Sequence, residues 1–123
     1  MESKKKKLLK AKKNLEAALK QYQQNSNELN FLTVVKTYEI VVEYAWRELK
    51  LVVEDEGLEA PSPKMAIKQA AKLNYLNKPE VWLLCIDARN NSVHDYFGIS
   101  EKEYIELAKN LLVLMKEAKV FQT

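Results

Sequence analysis

Histidine and cysteine each occur once in these 123 residues, glycine twice and proline three times. Each scarcity removes a class of structure or chemistry. A single thiol excludes an internal disulfide and fits a reducing compartment. A structural zinc site draws four ligands from Cys and His, and Cys85 and His94 are the whole supply. Gly57 and Gly98 stand apart, so no glycine-rich loop cradles a phosphate. No apolar run approaches the roughly 18 residues of a membrane span, and the amino terminus carries no signal-like apolar segment. A cytoplasmic protein with no membrane association, metal or cofactor is therefore expected. Few helix breakers, abundant Lys, Glu, Leu and Ala, and a hydrophobic share of 47% predict an all-α fold in one domain spanning residues 1–123.

Charge is unevenly spread. Residues 1–20 hold eight lysines against Glu2 and Glu16, a net of +6, which leaves −3 for the rest of a chain whose total is +3. Lysines at a helix start oppose the macrodipole, so they do not stabilise that end. The plain reading of segment 1–13 is a frayed, solvated start, and the alternative is a patch that attracts phosphate.

Periodicity predicts five helices joined by short loops, an antiparallel up-and-down bundle with a four-helix core. The first runs from about residue 3 to 24, with Leu8, Leu15, Leu19 and Tyr22 on one face. The second runs from about 28 to 55 and presents Leu32, Val35, Val42, Trp46, Leu49 and Val53, with Gly57 as its left-handed stop. Ser62-Pro63 opens the third, which turns Met65, Ala66, Ala70 and Leu73 inward. The fourth begins near Pro79, and its run Val81-Trp82-Leu83-Leu84-Cys85-Ile86 is apolar all round, as in a helix buried among others. Ser100 and Glu103 form a capping box for the fifth, which carries Tyr104, Leu107, Leu111, Leu114 and Met115 inward to about residue 119.

The stretch Asp87-Ala-Arg-Asn-Asn-Ser-Val-His-Asp-Tyr-Phe-Gly98 breaks that apolar pattern. Polar groups arriving together at the end of a buried run need partners or water. Cys85 and His94 cannot serve as nucleophile and base on one helix, because nine residues separate them by about 13 Å on opposite faces. No carboxylate spacing marks a glycosidase pair. Arg89, His94 and Tyr96 remain. At 100° per residue, Arg89 and Tyr96 lie about 20° apart and His94 about 140° from Arg89. The three converge only if the helix loosens before Tyr96 or a second copy of the chain completes the set. Taken singly, each has an ordinary reading: His94 a cap, Arg89 an ion-pair partner of Asp87 or Glu80, Tyr96 a core edge. Trp46 and Trp82 read as core.

Taken together, Arg89-x4-His94-x-Tyr96 with Asn90 after the arginine resembles the Arg-x4-His-x-Tyr motif of the HEPN toxins that pair with minimal nucleotidyltransferases. The likeness extends to Tyr38-Glu39, Ala45-Trp46-Arg47-x-Leu49-Lys50, Gly57, Ser62-Pro63-x3-Ile67-x2-Ala70 and Ala88-Arg89-Asn90-x-Ser92-x-His94-x-Tyr96. In that order, over about residues 28–118, the set looks like the nucleotidyltransferase substrate-binding proteins. Asp95 stands where the family usually has Thr, and Phe97-Gly98 where an acidic pair is common.

The resemblance implies a homodimer, a cognate minimal nucleotidyltransferase as partner, and transfer of AMP to Tyr96. Two functions follow. In the first, the protein is a metal-independent endoribonuclease with RNA as substrate. His94 moves the proton, Arg89 holds the phosphate, Asn90 orients them, and Asn91 and Ser92 assist binding. In the second it is a non-catalytic subunit that presents substrate or nucleotide to the transferase. A third reading, a helical adaptor whose polar patch sets dimer register, needs no ligand.

Overall fold

The computed structural model describes residues 4–92 and 100–121, with the backbone but not the side chains of Lys4, Asn91 and Ser92. Five α-helices fill it: α1 (Lys4–Gln24), α2 (Glu28–Asp55), α3 (Pro63–Lys72), α4 (Pro79–Ser92) and α5 (Glu101–Glu117), followed by a 3-10 turn, Lys119–Phe121. Among the described residues there is no strand.

Helix ends form where local chemistry asks for them. Asn27 caps α2 by accepting from the Asn30 amide at 2.8 Å. Past Asp55 the chain turns through Gly57 at φ +86, a left-handed conformation that costs glycine nothing. Ser62 accepts from Met65 N, with Pro63 in the first turn of α3. Ser100 and Glu103 complete a reciprocal capping box on α5.

α2 is the axis of the packing. Its buried face, Val34, Tyr38, Val41, Val42, Ala45, Leu49 and Val53, meets Leu8, Ala11, Leu15 and Ala18 of α1, Ile67 of α3, Trp82, Cys85 and Ile86 of α4, and Tyr104, Ala108 and Leu111 of α5 in one cluster. Tyr22, Phe31, Tyr104 and Tyr38 form an aromatic chain, tilted at its first pair and edge-to-face at the other two, with centroids 6.2, 5.9 and 5.0 Å apart, that ties α1, α2 and α5 together. Tyr22 also donates to Glu101 at the start of α5. Trp82 lies against Phe121 at 5.7 Å, so the final turn closes over α4.

Three expectations are corrected. Leu32 is 53% exposed, because the inward stripe of α2 passes through Val34 and Tyr38 instead. Met65 faces outward, with Ile67 taking the inward place on α3. α4 is not buried all round: Trp82, Cys85 and Ile86 face the core, but Leu84 is 56% exposed. The described part of α1 starts at Lys4, with Leu8 and Ala11 buried.

Candidate functional site

The position of Arg89 follows from how α4 is seated on α2. The Tyr38 hydroxyl donates to the Cys85 carbonyl at 2.7 Å inside the core. One turn further along both helices, the Arg89 guanidinium meets the Glu43 carboxylate at 2.8 Å. Two such links advancing in the same sense make α2 and α4 parallel, as alternate helices of an up-and-down bundle must be. The buried hydrogen bond thus sets the height at which Arg89 faces α2.

Glu43 is the hub of the polar cluster. One carboxylate oxygen takes Arg47, one turn on, at 2.7 Å. The other takes Arg89 and also the Trp46 indole N–H, at 3.2 Å. The second terminal nitrogen of Arg89 donates to the Asn90 side-chain oxygen at 3.2 Å. With both arms of its fork engaged and a third of its side chain in solvent, Arg89 is oriented yet open to a ligand. It borders a shallow depression of about 400 Å³ with Lys36, Glu39, Ile40 and Glu43. Planar, permanently charged and held at its base, such a guanidinium suits a phosphate.

The partner expected for Arg89 on its own helix is corrected. Asp87 pairs with Lys64 of α3 at 2.8 Å. Two residues before Arg89, it points to the far side of α4. Trp82 is core, as predicted, whereas Trp46 is only partly buried and gives its N–H to Glu43. Arg89 and Asn90 come together. Asn91 and Ser92 lie on the last turn of α4, their side chains outside the described residues, and His94 and Tyr96 lie outside them altogether. The convergence of guanidinium, imidazole and phenol is therefore not among the described geometry.

Sequence reasoning missed Glu43. The Glu43/Arg47 spacing, one helical turn, was a signal for a surface pair on α2. Nothing in the sequence linked it to an arginine 46 residues away.

Cys85 and Tyr38 are buried in the core. Burial pushes the Cys85 thiol from 9.0 up to about 12, against a smaller opposing effect of its hydrogen bonding with Tyr38. Burial likewise drives the Tyr38 phenol well above its usual 10. A thiol that stays protonated makes a poor nucleophile or metal ligand. No group of three His, Cys, Asp or Glu side chains among the described residues is arranged to hold a metal ion, and no described helix is long and apolar enough to cross a membrane.

A family model described as "Nucleotidyltransferase substrate binding protein like" matches residues 4–119, from the first residue of α1 to the terminal turn. No curated protein matches the chain.

Proposed function

The chain belongs to the nucleotidyltransferase substrate binding protein-like family, and from that premise we propose that it is the helical partner of a minimal nucleotidyltransferase and a metal-independent endoribonuclease acting through Arg89 and His94. The observation that carries the reading is Arg89 itself, a guanidinium fixed by Glu43 and Asn90 at the rim of an open depression.

The chemistry needs few groups. His94 takes the proton of an RNA 2′-hydroxyl, the general-base role that an imidazole side chain suits. The freed oxygen attacks the adjacent phosphorus, and the bond from phosphorus to the 5′-oxygen breaks. A proton from water, or from His94 of a second protomer, goes to the leaving oxygen. Arg89 balances the negative charge that grows on the phosphoryl oxygens. In a homodimer with the two motifs facing each other, one imidazole serves as base and the other as acid. Transfer of AMP to Tyr96 would add a phosphodiester and a nucleoside to the motif, and in this reading their charge and bulk neutralise Arg89 and fill the space an RNA phosphate needs.

A second reading is favoured by the ion pair that already occupies Arg89. With its charge met by Glu43, the arginine would hold a nucleotide or substrate phosphate for the transferase without cleaving anything. One experiment separates the two. The protein, its His94→Ala variant and its Tyr96→Phe variant are each incubated with RNA, then with the cognate transferase and ATP. Cleavage lost in His94→Ala, and AMP found by mass spectrometry on wild type but not on Tyr96→Phe, is the expected result. RNA left intact by wild type leaves the subunit reading standing, and AMP on the Phe variant ends the proposed switch.

A further inference from the structure

The lysine-bearing helix and the Arg89 cluster share a surface. Beside the depression at Arg89 lies a second one, about 250 Å³, lined by Lys7, Lys10, Ala11 and Asn14 of α1 and by Ile40 and Tyr44 of α2. Ile40 borders both, so the two hollows adjoin across its exposed side chain. From Lys36 to Tyr44 the helix rises about 12 Å, and the α1 residues lie alongside that stretch.

The composition of this strip is unlike a plain solvated face. Lys7 and Lys10 enter no ion pair among the described residues. Among the described residues, the only carboxylates lining the two hollows are Glu39 and Glu43, both at the Arg89 end. Glu43 is itself shared between Arg47 and Arg89. Positive charge therefore dominates, most strongly on the α1 side, on a chain whose remainder beyond residue 20 is acidic. Tyr44 is held at its base against the core yet only partly buried, which gives the strip an aromatic ring next to two ammonium groups. Ile40 offers an apolar step between that ring and Arg89.

Cations that track a backbone, an aromatic ring on which a base stacks and an asparagine able to pair with a base edge are the elements of a single-strand nucleic-acid groove. At the 3.4 Å spacing of stacked nucleotides, about 12 Å accommodates roughly three of them. We propose that this strip guides single-stranded RNA to Arg89, with Lys7 and Lys10 on the phosphates and Tyr44 stacked on a base. The proposal rests on the reading of Arg89 as the group that receives an RNA phosphate, and it adds where the strand lies on either side of that phosphate.

The test uses the full chain and a fluorescein-labelled, unstructured RNA of about a dozen nucleotides, spanning the roughly three-nucleotide strip with room to spare, in anisotropy titrations over a range of salt. In wild type, log affinity falls linearly with log salt. In the double variant Lys7→Gln/Lys10→Gln the slope becomes shallower by about 1.4, at roughly 0.7 for each single-strand phosphate that no longer meets a lysine. Tyr44→Leu weakens binding by about fivefold or more while Tyr44→Phe leaves it within twofold, because stacking needs the ring and not the hydroxyl. Circular dichroism confirms that each variant is folded. RNA cleavage is followed in parallel. If the strip variants lose RNA affinity and wild type does not cleave, the strip stands and the nuclease reading falls. If they cleave with unchanged KM and bind with an unchanged salt slope, the strip is overturned and the nuclease reading stands. If instead they lose only their binding to the transferase, the strip is a protein-docking surface and the proposal is wrong.

Discussion

Val42 and Glu43 are neighbours on α2, and they belong to different parts of the molecule. Val42 is 2% exposed in the common core; Glu43, about 100° further round, holds Arg47 and Arg89 at the surface. The inner face of this helix meets every other helix through apolar side chains. The outer face carries Lys36, Glu39, Ile40, Glu43 and Arg47, charged groups around one exposed isoleucine. A single rod thus bears the fold on one side and the candidate site on the other, and changes on one side should leave the other intact.

The largest expected effect is on the inner face. Leu49→Ala removes a side chain with no solvent exposure and should cost about 2–5 kcal/mol, as truncation of a buried leucine does. Ile40→Ala, at 38% exposure on the outer face, should cost less than about 1 kcal/mol. Urea denaturation of the two proteins measures both. Equal costs would mean that α2 has no such division.

A smaller effect tests the joint between the two faces. Tyr38→Phe deletes the hydroxyl that bonds the Cys85 carbonyl and should cost about 1 kcal/mol. The same region makes stability fall in alkali. In the unfolded chain the Cys85 thiol ionises near 9, whereas in the fold it stays protonated up to about 12. Tyr38 is raised in the same sense. Between those values the unfolded state binds fewer protons than the folded one, so rising pH favours unfolding. The stabilisation is complete below about pH 9 and lost toward pH 12. The urea midpoint should drop between neutral pH and about pH 10, and drop less in Cys85→Ala. An identical drop in that variant would assign the alkaline loss to other groups.

The two faces also differ in how far the sequence revealed them. Local rules located the helix ends, because Gly57, Ser62-Pro63 and the Ser100/Glu103 pair act on backbone groups within a few residues. Inner-face periodicity fixed the all-α class, yet it placed Leu32 and Met65 inward. Apolar character alone does not choose between adjacent stripes on a helix that touches several neighbours. Leu84 shows the same limit from the other side: an unbroken apolar run predicts burial, but α4 has neighbours on only part of its circumference. Arg89 and Asn90 were legible through their motif spacing. Glu43 was not, since its link to Arg89 arises only when two parallel helices are set in register by a tyrosine on one and a carbonyl on the other.

The smallest effect on stability should be the most informative about the site. Glu43→Gln keeps the size and hydrogen-bonding shape of the side chain and removes its charge. Its ion pairs are partly exposed, with Arg89 a third and Arg47 about half in solvent, so the fold should lose no more than about 1 kcal/mol. On the proposed nuclease reading, the effect on chemistry has two parts of opposite sign. Loss of a negative charge beside Arg89 strengthens attraction for a phosphate, so KM for RNA should fall. Loss of the group that orients the guanidinium lets it wander from the transition-state oxygens, so kcat should fall by about tenfold or more. Steady-state cleavage of a short RNA by the two proteins reads both parts. Lower KM with lower kcat identifies Glu43 as a positioning residue for Arg89. Unchanged constants would make it an ordinary surface partner, and a higher KM would mean that Glu43, through Trp46 and Arg47, shapes the binding surface rather than the arginine.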